Sequence, residues 1–392
     1  MNGEKSNIAV FSFAYAPFEG GAEVAIREIT QRLPMFFFTI FTAKFDAKNS
    51  AKELADNVEI LRLGRGSRRR YGIIFKKIAY IFQAWQEAEN QYQKRRFDLI
   101  WVVMASYGGV AGLLFKLNHP SIRMLLTVQE GDSEQHLRYG KFGLVGIFGK
   151  MLMRSADYIQ VISSYLRDFS IRQGATAPVE IVPNGVDEKL FATEYRDTEI
   201  RSLRGYLNIK DEYVAVTTSR LVYKNGVDIL IDAVSKFKEK RQNIKCLIIG
   251  EGPDRGKLES RVKKLGLENN VIFLGHIKQC DLPLYFAVAD MFVRPSRSEG
   301  LGNSFLEAMS AGVPVVGTPV GGIVDFLRDG ETGFLADPEN SDSVAFKMHE
   351  ILSDPARTEK IVRKAHELVH RSYSWEIVAK MMRNIFDRII NL

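Results

Sequence analysis

At 392 residues the chain is longer than a single hydrophobic core usually supports, so we expect two domains of roughly 150–200 residues each. Its 46% hydrophobic and 26% charged residues exclude collagen-like, disordered and disulfide-scaffold classes. The net charge of +7 favours anionic partners such as nucleotides, phospholipid surfaces or nucleic acid, without selecting one of them.

The cysteines and the longest apolar runs indicate the compartment. Cys246 and Cys280 lie in no metal-ligand spacing, which predicts buried, reduced thiols and no metal site. Residues 1–7 are polar, unlike a secretory signal, and no apolar run approaches the ~18–20 residues that span a bilayer. We therefore expect a cytoplasmic protein, with a position at the inner face of the membrane as an alternative.

Short apolar runs alternate with amphipathic stretches along the first half of the chain. The runs predict buried strands at residues 8–13, 36–41, 99–104, 124–128 and 158–162. The stretches 22–33 and 73–92 predict helices. This alternation is typical of the α/β class, in which helices cover a parallel sheet.

The pattern begins again after PNGVD at residues 183–187. This turn cluster is followed by a charged segment, and we expect the domain boundary near residues 188–208. Further strands are predicted at residues 213–217, 245–249, 271–274, 291–293 and 313–316, and residues 375–392 form an amphipathic pattern.

Two turns carry residues suited to phosphate. Gly20 and Gly21 precede the first predicted helix, where backbone N–H groups can meet an anion, although a plain strand-to-helix turn is the better explanation of this segment taken alone. Arg220 and Lys224 follow the strand at 213–217, where they can offset the charge of a diphosphate leaving group. A solvated surface pair is the alternative.

Gly250, Gly252 and Gly256 imitate a dinucleotide-binding fingerprint after a strand. We reject that interpretation, because the acidic residue expected about 20 residues further on is absent.

The segment SRSEGLGNSFLEAMSAGVPVV, residues 296–316, joins a strand to a helix through a glycine-containing loop. Such a loop and the helix N-terminus attract anions. Glu299 and Glu307 bracket the loop. Ser304 and Glu307 also form a capping-box pattern, so helix capping and ligand binding remain equal alternatives for Glu307.

Two glutamates separated by seven residues in EGLGNSFLEAMSAGVPVV resemble the E-x7-E signature of retaining family 4 glycosyltransferases, the glycosyl transferases group 1. RLVYKNG at 220–226 resembles that family's R-L-V-x-x-K-G, with Asn225 at the lysine position. IIGEGP at 248–253, LGHI at 274–277 and PNGVD also resemble family segments. Gln129 stands where many relatives carry a histidine.

The resemblance implies the GT-B fold, two Rossmann-like doubly wound parallel-sheet domains facing a central cleft. Residues 1–190 would form the acceptor-side domain, with 375–392 packing back on it, and residues 191–374 the nucleotide-sugar domain. Three sets of site residues follow from it: catalytic Arg220, Lys224 and Glu299; donor-binding Gly20, Gly21, Gly250, Gly252, Ile277, Gly300, Leu301, Gly302, Asn303, Ser304 and Glu307; and acceptor- or sugar-binding Gln129, Glu130 and Asp132.

The implied reaction is retaining hexosyl transfer from a UDP- or GDP-linked sugar to a glycan or lipid-linked acceptor, in cell-surface polysaccharide or glycolipid synthesis. No metal and no further cofactor are expected. A sugar-nucleotide epimerase or a phosphorylase-type enzyme of the same architecture is the alternative. A non-enzymatic nucleic-acid or membrane-binding protein ranks last, because no aromatic-plus-basic RNA-binding motif occurs.

Residues 65–82 combine basic with apolar and aromatic side chains, and residues 142–153 add a glycine-punctuated apolar run. Both are suited to an anionic membrane surface. A solvated loop followed by a core helix explains the first segment equally well.

Overall fold

The computed structural model describes residues 5–17, 20–66, 73–131, 144–239 and 243–392. The chain divides into two compact units. The first comprises Met1–Asn184 with Trp375–Leu392, and the second comprises Gly185–Ser374.

The first unit is built on a sheet in the order β3-β4-β2-β1-β5-β6-β7-β8, which is parallel except for the β3–β4 pair. Its strands are β1 Ser6–Phe11, β2 Phe36–Ala43, β3 Lys52–Ala55, β4 Val58–Leu63, β5 Leu99–Val103, β6 Arg123–Val128, β7 Tyr158–Val161 and β8 Val179–Ile181. The helices are α1 Gly21–Arg32, α2 Ile73–Lys94, α3 Tyr107–Asn118, α4 Leu144–Ser155 and α5 Ser164–Arg172. The five predicted strands are present, and β3, β4 and β8 were not predicted.

The second unit has an all-parallel sheet in the order β11-β10-β9-β12-β13-β14. Its strands are β9 Tyr213–Thr218, β10 Ile244–Ile249, β11 Val271–Gly275, β12 Met291–Val293, β13 Val315–Gly317 and β14 Phe334–Leu335. The helices are α6 Glu188–Phe191, α7 Asp197–Tyr206, α8 Val227–Glu239, α9 Arg255–Lys264, α10 Leu282–Ala287, α11 Asn303–Ser310, α12 Ser341–Ser353 and α13 Pro355–Ser372.

The division between the units falls at Asn184, before the predicted boundary. The segment 188–208 is not a linker, because it holds α6 and α7, which belong to the second unit. Phe191 of α6 is buried, with its ring 5.9 Å from that of Phe286 in α10.

The last helix, α14 Trp375–Ile390, belongs to the first unit. Its buried face includes Trp375, Met382 and Phe386. The ring of Phe386 lies 5.5 Å from that of Phe36 and 5.2 Å from that of Trp101. A long amphipathic helix with one apolar face thus completes the core beside β1, β2 and β5.

In each sheet the strand order reverses at the first strand of the unit. In the first unit β2 and β5 flank β1, and in the second β10 and β12 flank β9. The loops that leave the carboxyl ends of two such strands run in opposite directions and open a crevice, which is where doubly wound sheets bind ligands. Ligand sites are therefore expected at the loops after β1, β5, β9 and β12.

The two cysteines differ in burial. Cys246 is buried, and burial raises the pKa of its thiol to about 12, whereas Cys280 is exposed, so the predicted burial is wrong for that residue. Among the described residues, no helix combines the length and apolar character needed to cross a membrane.

Candidate functional site

The loops after β9 and β12 touch through their backbones. Gly226 has φ of 66°, and a Cβ there would lie 1.9 Å from the carbonyl oxygen of Pro295. The N–H of Arg297 donates to the carbonyl oxygen of Lys224 at 2.7 Å. Only glycine permits this approach, so Gly226 fixes the relative position of the two loops at the strand-order reversal.

Arg294, directly after β12, connects the parts of this region. It is 8% exposed, and its Nη1 donates to Ser304 Oγ at 2.6 Å. Its Nη2 donates to Asn225 Oδ1 at 3.1 Å and to Glu299, with which it forms an ion pair. Sequence reasoning missed this residue; a lone arginine directly after an apolar strand, at the edge where ligands bind, was the available signal.

Asn225 is buried, and its side chain is committed to the protein. Its Nδ2 donates to the carbonyl oxygen of Arg220 at 2.6 Å, while its Oδ1 accepts from Arg294. The side chain of Arg220 is exposed, and that of Lys224 is partly buried. The two predicted catalytic cations therefore lie in one loop, which Asn225 holds in shape.

The N-terminus of α11 carries the next group of predicted residues. Gly302 is the N-cap, with φ of 102°, and Asn303 and Ser304 begin the helix. The hydroxyl of Ser304 accepts from Arg294 and does not cap the helix, so the capping-box alternative is wrong. Leu301 is buried, which leaves only its backbone to face a ligand.

Glu299 and Glu307 have different environments. Glu299 accepts from Arg294 through Oε2 and from the backbone N–H of Gly300 through Oε1 at 3.1 Å. Glu307 accepts from Gln279 Nε2 at 2.9 Å. Burial raises the pKa of the Glu307 carboxyl, and the Gln279 hydrogen bond and the charge of Arg294 lower it by less. A carboxylate withdrawn from water but still able to accept is suited to hydroxyl groups of a ligand.

Several polar atoms in these loops lack an intramolecular partner. Within the described part of the chain, no hydrogen bond reaches three hydroxyls and one guanidinium nitrogen, although all are buried: Thr218 Oγ1, Ser219 Oγ, Ser296 Oγ and Arg294 Nε. Buried polar groups are nearly always paired, so a cluster of unpaired ones at a strand-order reversal indicates a place where water or a ligand supplies the partners.

Gly250 and Gly252 are explained by packing. A Cβ would lie 1.9 Å from the carbonyl oxygen of Ser219 at the first position and 2.2 Å from that of Leu221 at the second. Gly256, by contrast, has open space around its Cβ position. The first two glycines therefore bring the loop after β10 against the loop after β9. Ile277 is partly buried beyond β11, near Gln279 in sequence.

Arg297 stabilises the loop after β12 from its other side. It pairs with Asp228 through two bonds of 2.7 and 2.8 Å, contacts Glu339, and lies 3.9 Å from the ring centroid of Tyr223. Burial lowers the pKa of Arg297, but the carboxylates of Asp228 and Glu339 raise it by more. Burial raises the pKa of Asp228, but hydrogen bonding and the charge of Arg297 lower it by more. The guanidinium of Arg297 is thus held by Asp228, Glu339 and the ring of Tyr223.

The corresponding region of the first unit is more self-contained. Glu130 accepts from the N–H of Ala105 at 2.6 Å and from the N–H of Gln129 at 3.0 Å. The Gln129 amide oxygen accepts from Asn184 Nδ2 at 3.1 Å. Asp132, predicted with them, lies outside the described residues.

The two glycines of the first turn take up the start of α1. Gly20 is the N-cap and Gly21 the first helical residue. Burial raises the pKa of the Glu23 carboxyl, while hydrogen bonds from the N–H groups of Glu23 and Gly20 lower it. No cluster of three potential metal-binding side chains occurs among the described residues.

Solved structures define the fold class. Sucrose-phosphate synthase from Thermosynechococcus elongatus superposes with a TM-score of 0.83 at 22% identity, covering 98% of this chain and 99% of that one. Anabaena HepE in complex with UDP-glucose gives 0.78 at 20% identity, covering 97% and 99%. The chain therefore has the GT-B fold, an α/β architecture of two Rossmann-like units.

Family models then identify the family. The model for glycosyltransferase family 4 matches residues 19–190, and that for glycosyl transferases group 1 matches residues 200–368. The chain belongs to this family, as the E-x7-E resemblance predicted.

Two curated relatives match over about half of their length. An uncharacterized glycosyltransferase of Methanocaldococcus jannaschii is 34% identical over 53% of each chain. A GDP-mannose-dependent alpha-(1-6)-phosphatidylinositol monomannoside mannosyltransferase of Mycolicibacterium smegmatis is 34% identical over 50% of this chain and 53% of its own. The chain spans about half the length of these two relatives.

Proposed function

We propose that this protein transfers a hexosyl group from a nucleotide sugar to an acceptor in glycolipid or polysaccharide synthesis. The proposal rests on the set of residues at the carboxyl ends of β9 and β12. There, one loop holds the exposed Arg220, and the other leads from Arg294 and Glu299 into the N-terminus of α11 and on to Glu307. Cations, a helix N-terminus and two spaced carboxylates suit a nucleoside diphosphate that carries a sugar.

The proposed donor is linked to UDP or GDP. Support comes from relatives and solved structures whose names specify GDP-mannose dependence or bound UDP-glucose. In our proposal Arg220 and Lys224 offset the charge that develops on the diphosphate, Glu299 contacts the sugar and Glu307 the ribose. The backbone of Gly300, Leu301, Gly302 and Asn303 would line the diphosphate, with that of Ile277 beside the base.

The proposed reaction retains configuration at the anomeric carbon through displacement on one face of the sugar. Two side-chain cations and the α11 N-terminus can stabilise the leaving group, so we propose that transfer proceeds without a metal. In the first unit, Gln129 is the proposed contact for the sugar or acceptor. For Glu130 we propose a structural role, because both of its carboxylate oxygens accept from backbone N–H groups.

Binding and turnover test the proposal together. Melting the purified protein with a panel of UDP- and GDP-linked sugars should raise Tm for the true donor and for its free nucleotide. When the sugar of that donor is labelled and EDTA is present, the label should be transferred to acceptor molecules in an extract. Release of a free epimer instead would establish the epimerase alternative, and absence of any nucleotide-dependent shift would contradict the proposal.

We further propose that the first unit contacts anionic membranes. Helix α4 exposes Ile147, Phe148 and Met151, with Lys150 and Arg154 also exposed, while Leu152 and Met153 on it are buried. Apolar side chains beside basic ones suit a headgroup layer. Of the predicted basic segment 65–82, residues 67–72 lie outside the described residues.

Liposome co-sedimentation tests this contact. The double variant Phe148→Ser and Met151→Ser should lose most binding to vesicles containing anionic lipid at low salt. Leu117→Ser, which removes an exposed apolar side chain from α3, serves as the matched control. Equal binding by both variants would contradict the assignment to α4.

A further inference from the structure

A cation is absent from one position of the proposed donor site. The family pattern R-L-V-x-x-K-G places a lysine where this chain has Asn225. Asn225 is 3% exposed, and both ends of its amide bond to protein groups. Position 225 therefore contributes no charge to a ligand, and both polar ends of its side chain are engaged by the protein.

A different cation lies beside that position. Arg294 comes from the end of β12, the strand on the other side of β9 from β10, and its Nη2 is 3.1 Å from Asn225 Oδ1. The same guanidinium holds Glu299 and Ser304. It thereby joins the loop after β9, the loop after β12 and the first turn of α11.

We propose that Arg294 and Asn225 together replace the missing lysine, so that the one positive charge that the family pattern places at position 225 lies instead at the end of β12. This inference rests on the proposed function. Arg294 acts as a positioning residue: it fixes Glu299 and the N-terminus of α11 for the donor, and Asn225 supplies the neutral acceptor that a lysine could not. Its buried Nε, which has no partner within the described chain, leaves one further donor for a ligand oxygen.

The close packing of the loops makes the two positions interdependent. The backbone of Gly226 lies directly against Pro295, and the N–H of Arg297 donates to the carbonyl oxygen of Lys224 at 2.7 Å, so the two loops are held together. A lysine at 225 would therefore place its ammonium against the Arg294 guanidinium, with like charges in a region shielded from water. With Arg294 removed, the same lysine could reach Glu299, which shares Nη2 of Arg294 with Asn225. The sign of the effect of Asn225→Lys should depend on residue 294.

Four proteins test this dependence: the wild type, Asn225→Lys, Arg294→Met and the double variant. Asn225→Lys should lower Tm when Arg294 is present and raise it in the Arg294→Met background. Arg294→Met should lower kcat/KM for the donor at least ~100-fold, and the double variant should recover at least ~10-fold of that loss. A lysine effect on Tm of the same sign in both backgrounds would overturn the proposal.

Two further measurements separate positioning from simple structural support. Arg294→Lys keeps the positive charge but lacks the planar guanidinium. It should therefore bind the donor more tightly than Arg294→Met does. Relative to the wild type, its kcat should fall by a larger factor than its KM rises. Equal donor affinity in the Arg294→Met variant and the wild type would overturn the positioning role. If the wild type transfers no sugar, the proposed function fails, while the sign of the Tm effects still decides whether the charge has moved.

Discussion

The two strand-order reversals of this protein share a topology but use their polar groups differently. In the second unit, Arg220 is exposed, and several buried hydroxyls near Arg294 have no partner among the described residues. In the first unit, Glu130 bonds to two backbone N–H groups and Gln129 to Asn184. Topology places a potential ligand site at both edges, and the described residues of the second leave buried hydroxyls for a ligand to satisfy.

The largest expected effect concerns Arg220. Because its side chain is exposed, Arg220→Ala should leave Tm nearly unchanged and lower the transfer rate roughly 10²–10³-fold, the usual loss when one group that stabilises developing charge is removed. Glu307→Ala should lower transfer by a similar factor. Arg363→Ala, at an exposed position of α13, is the matched control. Near-normal turnover of Arg220→Ala would remove the distinction between the two edges.

The glycines after β10 give the next effect, on stability. Gly250→Ala and Gly252→Ala force a Cβ against the backbone of the loop after β9 and should each destabilise by at least about 2 kcal/mol in urea unfolding. Gly256→Ala, which has open space within α9, should be neutral or stabilise by up to about 1 kcal/mol. Similar losses in all three variants would contradict the packing explanation.

Glu130→Gln tests whether the first edge is structural. The amide would turn an NH₂ group toward one of two backbone N–H groups, so we expect a loss of about 1–3 kcal/mol in stability. Transfer measured well below Tm should stay within about threefold of wild type, with an unchanged KM for the acceptor. A folded variant with collapsed activity would instead return Glu130 to the acceptor-binding residues.

The smallest effect concerns the pH dependence of stability. Burial raises the pKa of Glu307 in the folded protein, so its ionised form lowers stability above that pKa, and the penalty disappears as pH falls through it. Glu307→Gln should therefore have a higher Tm than wild type at pH 7.5, with a difference that shrinks toward pH 4. Equal Tm values across this range would show that the ionised carboxyl carries no burial penalty.

The sequence predicted the strands that are buried on both sides, such as β5 and β9, because continuous apolar runs between turns have few alternatives. It missed β3, whose residues are exposed, and β14, which has only two residues. The charged residues of β3 and the shortness of β14 leave both segments without a periodic hydrophobic pattern. The E-x7-E segment identified the family because its two glutamates lie within one short segment. Their spacing can therefore be recognised without knowledge of the rest of the fold.

The sequence by itself thus determined the α/β class, the family and most residues of the proposed donor site, since all of these depend on short segments. Only the tertiary structure revealed Arg294, because its contacts with Asn225 and Ser304 span 69 and 10 positions of the chain. It also decided that Gly250 and Gly252 serve loop packing and that Ser304 does not cap its helix. Those decisions depend on which strand ends lie side by side, and strand order is a property of the folded sheet.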